Sequence, residues 1–550
     1  MFLNTLVLAL LLASGCVASS IGDRWFRKLE RAAAHLAQRK TLAIYAVGLA
    51  AILSRLALLP VLPVPLPSIH DEFSYLLAAD TFAHGRLTNP THPMWVFFDT
   101  FHVLQHPTYA SKYPPASGAV LALGQLLGHP WIGSLLSVAA MCVAMTWMLQ
   151  GWFPPRWALL GGVLFLLRVS LFNYYMDGYY VAAVPAIGAA LALGALPRIL
   201  KTARQWDAIV MGIGAAILGC SRPVEGVFFC LPVAMALVVE LLSRRRFTLA
   251  VVARRMLLPA IIAPAAALLF LAYYNWRVTK DPFLFPYALY HREYFNNYPV
   301  FAWQHLTAAR HYANPQFEVF FNVFHRGEFQ LSWGGWVHRS WNACVAWWYV
   351  YAGPVLSIPC VMLVYVVRNH KARLFVWQFL LCAAGLLSVI WFQPHYAAPV
   401  TATWLGLLVF AMRYLRQMQC RNWKAGVALT RAVVLLAAVW VLVLAGRAAR
   451  LPARGWSANR ADIVKQLCGL PDKHLVIVHY SLGHNVHHEW VYNDAEIDAA
   501  KIVWAREIPG LNLAPLLAYF NGRRTWILDA DRSPPRLKSY PNDPRRGSGD

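Results

Sequence analysis

Charge is what this sequence has least of. Only 13% of its 550 residues are charged and 59% are hydrophobic, whereas a soluble globular chain carries roughly 25% charged residues. That scarcity excludes an ordinary water-soluble protein. Paired cysteine spacing is missing too. The nine cysteines lie mostly inside apolar runs (Cys142, Cys220, Cys230, Cys360, Cys382), which excludes a disulfide framework and a zinc ribbon. No Walker loop, GxGxxG fingerprint or HExxH pair occurs, so the usual cradles for nucleotides and catalytic zinc are absent. There is no long basic tail. The net charge of +24 is spread between apolar runs, as the positive-inside rule produces, and nucleic acid is not an expected partner.

What is present is helix that suits hydrocarbon. A span needs about 20 mostly apolar residues. Tyr113–Pro155, Gly178–Pro197, Met256–Trp276, Ser340–Val367 and Leu374–Met412 contain no Asp, Glu, Lys or Arg. The fold class is therefore a polytopic α-helical membrane protein. The expected spans are 41–66, 131–149, 157–172, 179–197, 207–221, 224–242, 256–276, 345–367, 374–392, 398–412 and 425–446, about 11 in all. The segment 116–127 is too short to cross and reads as a helix on the outer surface. Residues 1–20 are an apolar run without a basic start, read as an extra hydrophobic segment rather than a cleaved signal peptide.

Charge also sets orientation. Arg24, Arg27, Lys28, Arg31, Arg39 and Lys40 precede the first span and place residues 22–40 on the cytoplasmic side. Arg156, Arg198, Lys201, Arg254, Arg255, Arg368 and Arg416 thread to the same side. Short outer segments hold only Arg86, Lys112 and Arg222. The transmembrane domain is expected over 41–449, with outer loops at 67–130 and 277–344. An odd span count then puts the tail outside. Its runs His474–Tyr480 and Thr525–Asp529 read as strands, and 494–507 and 511–520 as helices. This alternation predicts a small extracytoplasmic α/β domain over 450–532. The Pro- and Arg-rich end, 533–550, reads as disordered.

The outer segments collect the chemistry. Ser68–Pro115 is a polar, His- and Pro-rich island that opens on Asp71 and Glu72 and closes on Lys112-Tyr113-Pro114-Pro115. The carboxylates sit at the start of a helical pattern (Phe73, Leu76, Leu77, Phe82), where the helix amides favour the ionised form. Either is suited to take a proton from a hydroxyl; as a bland alternative, both are solvated loop residues. Lys112 either snorkels or offers a cation to a lipid phosphate. Arg222, between two spans, either pairs with Glu225 to shape the turn or binds a phosphate with its planar fork. His395 and Tyr396 lie in another tight outer turn. Asn173–Asp177 is a further polar turn. Arg55 and Arg168 imply a polar cavity or snorkelling. His484, His487, His488 and Glu489 match no strong zinc pattern.

In order and topology, residues 41–446 resemble the GT-C glycosyltransferases, which include protein O-mannosyltransferases, bacterial aminoarabinose transferases and Rgt-type enzymes. The resemblance rests on the acidic pair after the first span, the surface helices and the Lys112–Pro115 element. It implies a polyprenyl-phosphate-linked sugar donor and transfer outside the membrane. The first-loop carboxylate of that family corresponds to Asp71 or Glu72, and its Lys-x-Pro-Pro region to Lys112–Pro115 with Tyr113 in the variable place. Arg222 and His395 are added from topology alone. The α/β tail matches none of the better-known members.

The expected function is an inverting glycosyltransferase of a bacterial inner membrane, moving a sugar to a hydroxyl of an unidentified glycan, lipid or protein. Nothing calls for a metal or other cofactor. A transporter or flippase of lipid-linked sugars is a second reading, but such proteins more often show two related halves, and no internal repeat is evident. A ligase moving a preassembled glycan shares the topology.

Overall fold

The computed structural model describes residues 13, 22–244, 247–296, 299–328, 332–419, 424–450 and 455–541. The apolar segment 1–20, apart from residue 13, and the tail beyond 541 lie outside them. Among the described residues, seven helices are long and apolar enough to cross a membrane: Lys40–Ala57, Pro130–Trp152, Ala183–Thr202, Pro223–Ser243, Leu249–Thr279, His370–Ser388 and Ala425–Arg450. An eighth results if Trp333–Tyr351 and Gly353–Cys360, bent by 98°, form one broken span. The expected count is about 11; length and composition alone pick out seven or eight. Pro155–Phe165, Gln205–Ser221 and Val400–Gln417 are helical, but they are too short or too polar to meet the same measure. Val400–Gln417 is buried along most of its length. A helix enclosed by protein has no hydrocarbon thickness to match, so uncharged sequence there need not span.

The connections at 58–129, 171–182, 222, 280–332 and 389–399 gather at one end of these helices. The helix Pro115–Leu126 lies there as expected, with Leu123, Leu126 and Leu127 facing outward. It crosses Pro130–Trp152 in backbone contact, because a Cβ on Gly124 would sit 2.3 Å from the Gly133 nitrogen. At the opposite end the helix Asp23–Gln38 is tied down by ion pairs from Arg431 to Asp23 (2.8 Å) and from Arg416 to Glu30 (3.0 Å).

The tail is a small sheet with helical cover. Strands β3 (His474–His479), β4 (Ile502–Arg506), β5 (Arg524–Asp529) and β6 (Arg536–Ser539) run in the order β4-β3-β5-β6, with β6 antiparallel. Two expectations change. Residues 494–507 contain strand β4 instead of a helix, because pairing with β3 buries all five β4 residues and overrides local propensity. β6 lies in the segment read as disordered, where its hydrogen bonds to β5 hold it. One face of the sheet packs on Trp456–Cys468 through Ile463, Leu467, Val476 and Trp504. The other shares a single core with the first loop: Leu475, Val503 and Phe520 meet Phe73, Phe97, Phe98 and Tyr109. This contact, rather than span parity, puts the tail on the same end as the island. The loop itself is braced by β1 (Val103–Leu104) paired with β2 (Ala110–Ser111).

Arg55, fully buried near the end of the first span, donates to Asp177 (3.0 Å) and to the carbonyls of Leu62 (2.7 Å) and Pro63 (3.0 Å). Arg168 donates to the Tyr349 carbonyl. Removing one member of a buried pair strands the other. Arg55→Leu is therefore expected to destabilise by about 3–5 kcal/mol in thermal unfolding in detergent. The double variant with Asp177→Asn should lose less than the sum of the single losses. Additive losses would mean the two groups are not coupled.

Candidate active site

The helix His70–Ala83 starts where Ile69 leaves extended backbone, and it carries Asp71 and Glu72 in its first turn. The 100° step between consecutive residues sends the two carboxylates to different surroundings. Glu72 is buried and both its oxygens are engaged. Oε2 accepts from the Ser68 amide (2.8 Å) and hydroxyl (3.3 Å), and Oε1 accepts from the Tyr179 amide (2.9 Å). Burial raises its carboxyl pKa, and these hydrogen bonds oppose the rise. Gly178 is required beside it, since a Cβ there would lie 2.7 Å from Oε1.

Asp71 faces the other way. Its Oδ1 lies 2.6 Å from His102 Nδ1 and accepts from the Tyr113 hydroxyl. Burial alone would raise its pKa. His102, Lys112 and the Tyr113 hydrogen bond outweigh burial and hold the carboxyl well below the usual range. Asp71 is thus an ionised carboxylate in a largely enclosed setting. Burial and the Lys112 charge push His102 down to about 4, so its imidazole is neutral at pH 7. Nδ1–H donates to Asp71, and Nε2 is left as an acceptor without a hydrogen-bond partner among the described residues.

His102 is held from both sides. Its φ is +63°, a left-handed conformation uncommon for residues other than glycine. Its amide donates to the Tyr290 hydroxyl (2.9 Å), and its carbonyl accepts from Ser74 Oγ (2.6 Å). Such a conformation costs on the order of 1–3 kcal/mol and persists where surrounding contacts over-determine it.

Lys112 is buried just after β2, with no carboxylate in ion-pair contact among the described residues. Its ammonium lies over the rings of Tyr290 (4.6 Å), Tyr287 (5.1 Å) and Tyr113 (5.2 Å). Burial lowers its pKa to about 7, against the pull of Asp71. Arg222 packs over Tyr396 at 4.2 Å and stands 3.5 Å from Glu225. Its charge bears on Tyr75, Tyr113 and Tyr396, the rings around Asp71. His395 is buried against Tyr180 at 4.5 Å, and burial together with Arg222 pushes it down to about 3. It packs as a neutral ring.

Asp71, Lys112, Tyr113, Arg222 and Tyr396 are thus brought together, with Glu225 behind Arg222 and Glu72 turned away. Sequence reasoning missed His102, Tyr75, Tyr287 and Tyr290. The tail reaches this cluster through Tyr492, whose hydroxyl is 2.9 Å from His70 Nδ1, and through His487, whose ring lies 5.6 Å from that of His70. His484 bonds Asp531 (2.6 Å), and Glu489 pairs with Arg506 (2.5 Å). Among the described residues no group of three His, Cys, Asp or Glu side chains is arranged to hold a metal ion.

No known family profile matches the chain, and no curated protein does. Among solved structures it is similar to ArnT from Cupriavidus metallidurans bound to undecaprenyl phosphate (13% identity, TM-score 0.49, covering 88% of this chain and 92% of that one). The same protein in the apo state aligns at 13% identity and TM-score 0.48 over 90% and 93%. The Archaeoglobus fulgidus oligosaccharyltransferase tethered with an acceptor peptide aligns at 11% and 0.43 over 88% and 69%. Both proteins are GT-C membrane glycosyltransferases. At such low identity and TM-scores the likeness assigns this chain no activity.

Glu72→Ala strands the buried Tyr179 amide and the Ser68 amide. It is expected to cost about 2 kcal/mol, read as a lower unfolding midpoint. An unchanged midpoint would remove the bracing role.

Proposed function

We propose that this protein is an inverting glycosyltransferase that moves a sugar from a polyprenyl-phosphate donor to an acceptor hydroxyl at the extracytoplasmic face. The observation that carries the reading is an ionised Asp71 bound to a neutral His102 beside two cations: Lys112, held by tyrosine rings, and Arg222, held by Tyr396 and by Glu225 at 3.5 Å. A carboxylate–imidazole pair takes protons, and adjacent cations stabilise a departing phosphate.

Asp71 sits far below neutral pH, so alone it is a weak base. Its part is to fix the His102 tautomer and to stabilise the imidazolium that forms. His102 Nε2 takes the proton of the acceptor hydroxyl. The hydroxyl oxygen attacks the anomeric carbon, and the bond from that carbon to the phosphate oxygen breaks on the opposite face. The electron pair leaves with the lipid phosphate, where Lys112 and Arg222 meet it. Each such contact is worth roughly 2–4 kcal/mol in the transition state by analogy with oxyanion donors.

Purified protein should transfer a labelled sugar from a polyprenyl-phosphate monosaccharide. Asp71→Asn and His102→Gln should each lower kcat by about 10²–10⁴-fold with little change in donor KM. Near-normal turnover in both would overturn the assignment, and movement of the labelled lipid across vesicles without transfer would favour a transporter.

Lys112 gives a pH test with a definite sign. Its pKa is lowered to about 7, so the cation is present below pH 7 and lost as pH rises through it. Binding of polyprenyl phosphate should weaken by about tenfold between pH 6 and pH 8. Lys112→Arg, charged throughout, should flatten that profile.

A further inference from the structure

We propose a second lipid site: a cleft that binds the phosphate group of an anionic membrane lipid, at the end of the helices opposite Asp71. The cleft has a volume of about 360 Å³ and opens between the ends of the spans Lys40–Ala57, Pro130–Trp152 and Ala183–Thr202. Lys40, Arg198 and Lys201 line it on the polar side, and Ile44, Trp147 and Pro197 on the apolar side.

The cations are placed there at a cost. Arg198 is fixed: it stacks on Trp147 at 3.9 Å and donates to the carbonyls of Trp147 (2.8 Å) and Gly194 (2.5 Å). Lys40 and Lys201 are exposed and form no ion pair among the described residues. Asp207 acts on Arg198 through space, but it is not in ion-pair contact with it. Lys40 also stands in the first turn of its helix, the end at which the helix dipole disfavours a cation. Its position is pinned by the Gln150 amide, which donates to the Lys40 carbonyl at 3.0 Å. Three like charges converging on one recess repel one another, and an anion in the recess would offset that repulsion.

The apolar wall argues for a lipid over a free ion. The cleft lies where apolar helices end, the depth of phosphate groups in a bilayer, and Ile44 and Trp147 extend from it toward the hydrocarbon. The preceding helix Asp23–Gln38 marks the same boundary. It exposes Trp25 and Leu29 beside Arg24, Lys28 and Arg31, the pattern of a helix lying on a membrane surface.

The test uses full-length protein in detergent, titrated separately with dioctanoyl phosphatidic acid, dioctanoyl phosphatidylcholine and inorganic phosphate. Phosphatidic acid should bind, with the other two at least about tenfold weaker. The Lys40→Gln/Lys201→Gln double variant should lose at least that factor. Gly151→Leu should lose it as well without removing charge, because a Cβ at Gly151 already meets Arg198 Nη1 at 2.6 Å and Pro197 Cγ at 3.0 Å. The binding lost in Gly151→Leu should persist in Lys112→Met, whatever lipid phosphate the site at Lys112 takes up, which separates this site from the candidate active site. Inorganic phosphate binding as tightly as the lipid would overturn the lipid assignment. Full binding retained by Gly151→Leu and by the double Gln variant would overturn the site.

Discussion

The structure depends on keeping one carboxylate charged where water is scarce. An ion moved out of water costs several kcal/mol unless partners and hydrogen bonds compensate. Asp71 meets that requirement with His102, Tyr113 and the nearby Lys112, and each partner brings its own constraint. His102 must hold a left-handed backbone, so Tyr290 and Ser74 grip its amide and carbonyl. Tyr113 must lie flat, so Tyr75 stacks on it at 4.4 Å. Tyr290 must stay in place, so it packs on Tyr294 and Phe295 from the second long loop. The aromatic density at this end of the helices follows from this chain of demands.

Lys112 and Arg222 are handled differently from Arg55 and Arg506. Arg55 and Arg506 are held by carboxylates at ion-pair distance. Lys112 instead has three tyrosine rings, and Arg222 has Tyr396 with Glu225 at the longer distance of 3.5 Å. A ring face attracts a cation by its quadrupole without cancelling the charge. Positive potential therefore remains available to an incoming anion. A carboxylate in tight contact would have removed it.

The sequence made Asp71, Lys112 and Arg222 legible because ionisable residues beside long apolar runs are costly unless they have a task. It could not rank Asp71 against Glu72, since the choice depends on which way each points from the helix and on amides at Ser68 and Tyr179. His102 was one of 19 histidines and carried no local signal; 31 positions of chain separate it from Asp71, and contacts with Ser74 and Tyr290 hold it there. Hydropathy registers apolar content and does not distinguish lipid from a protein interior, and Val400–Gln417 is apolar although protein surrounds most of it. Residues 494–507 read as helix because Ala, Glu and Lys favour helix locally, while the partner that makes 502–506 a strand is β3, far back in the chain.

The tail gains its meaning from this same nonlocal packing. Phe73, one turn from Asp71's end of the helix, stacks on Tyr492 at 4.3 Å, and Arg460 lies over Phe73 at 5.0 Å. Tyr492 also bonds His70, the residue before Asp71, and the Phe101 carbonyl, the residue before His102. One tail side chain thus touches the chain neighbours of both members of the carboxylate–imidazole pair. Removing the sheet would expose the shared core of Phe97, Phe98 and Tyr109 and release both grips at once. Arg222 and His395 lie between helices, whereas Asp71 and His102 are held by Ser74, Tyr113 and Tyr290 and, through their chain neighbours, by Tyr492 of the tail. The α/β domain is therefore a structural wall of the candidate site, and it braces the chain on either side of the carboxylate–imidazole pair.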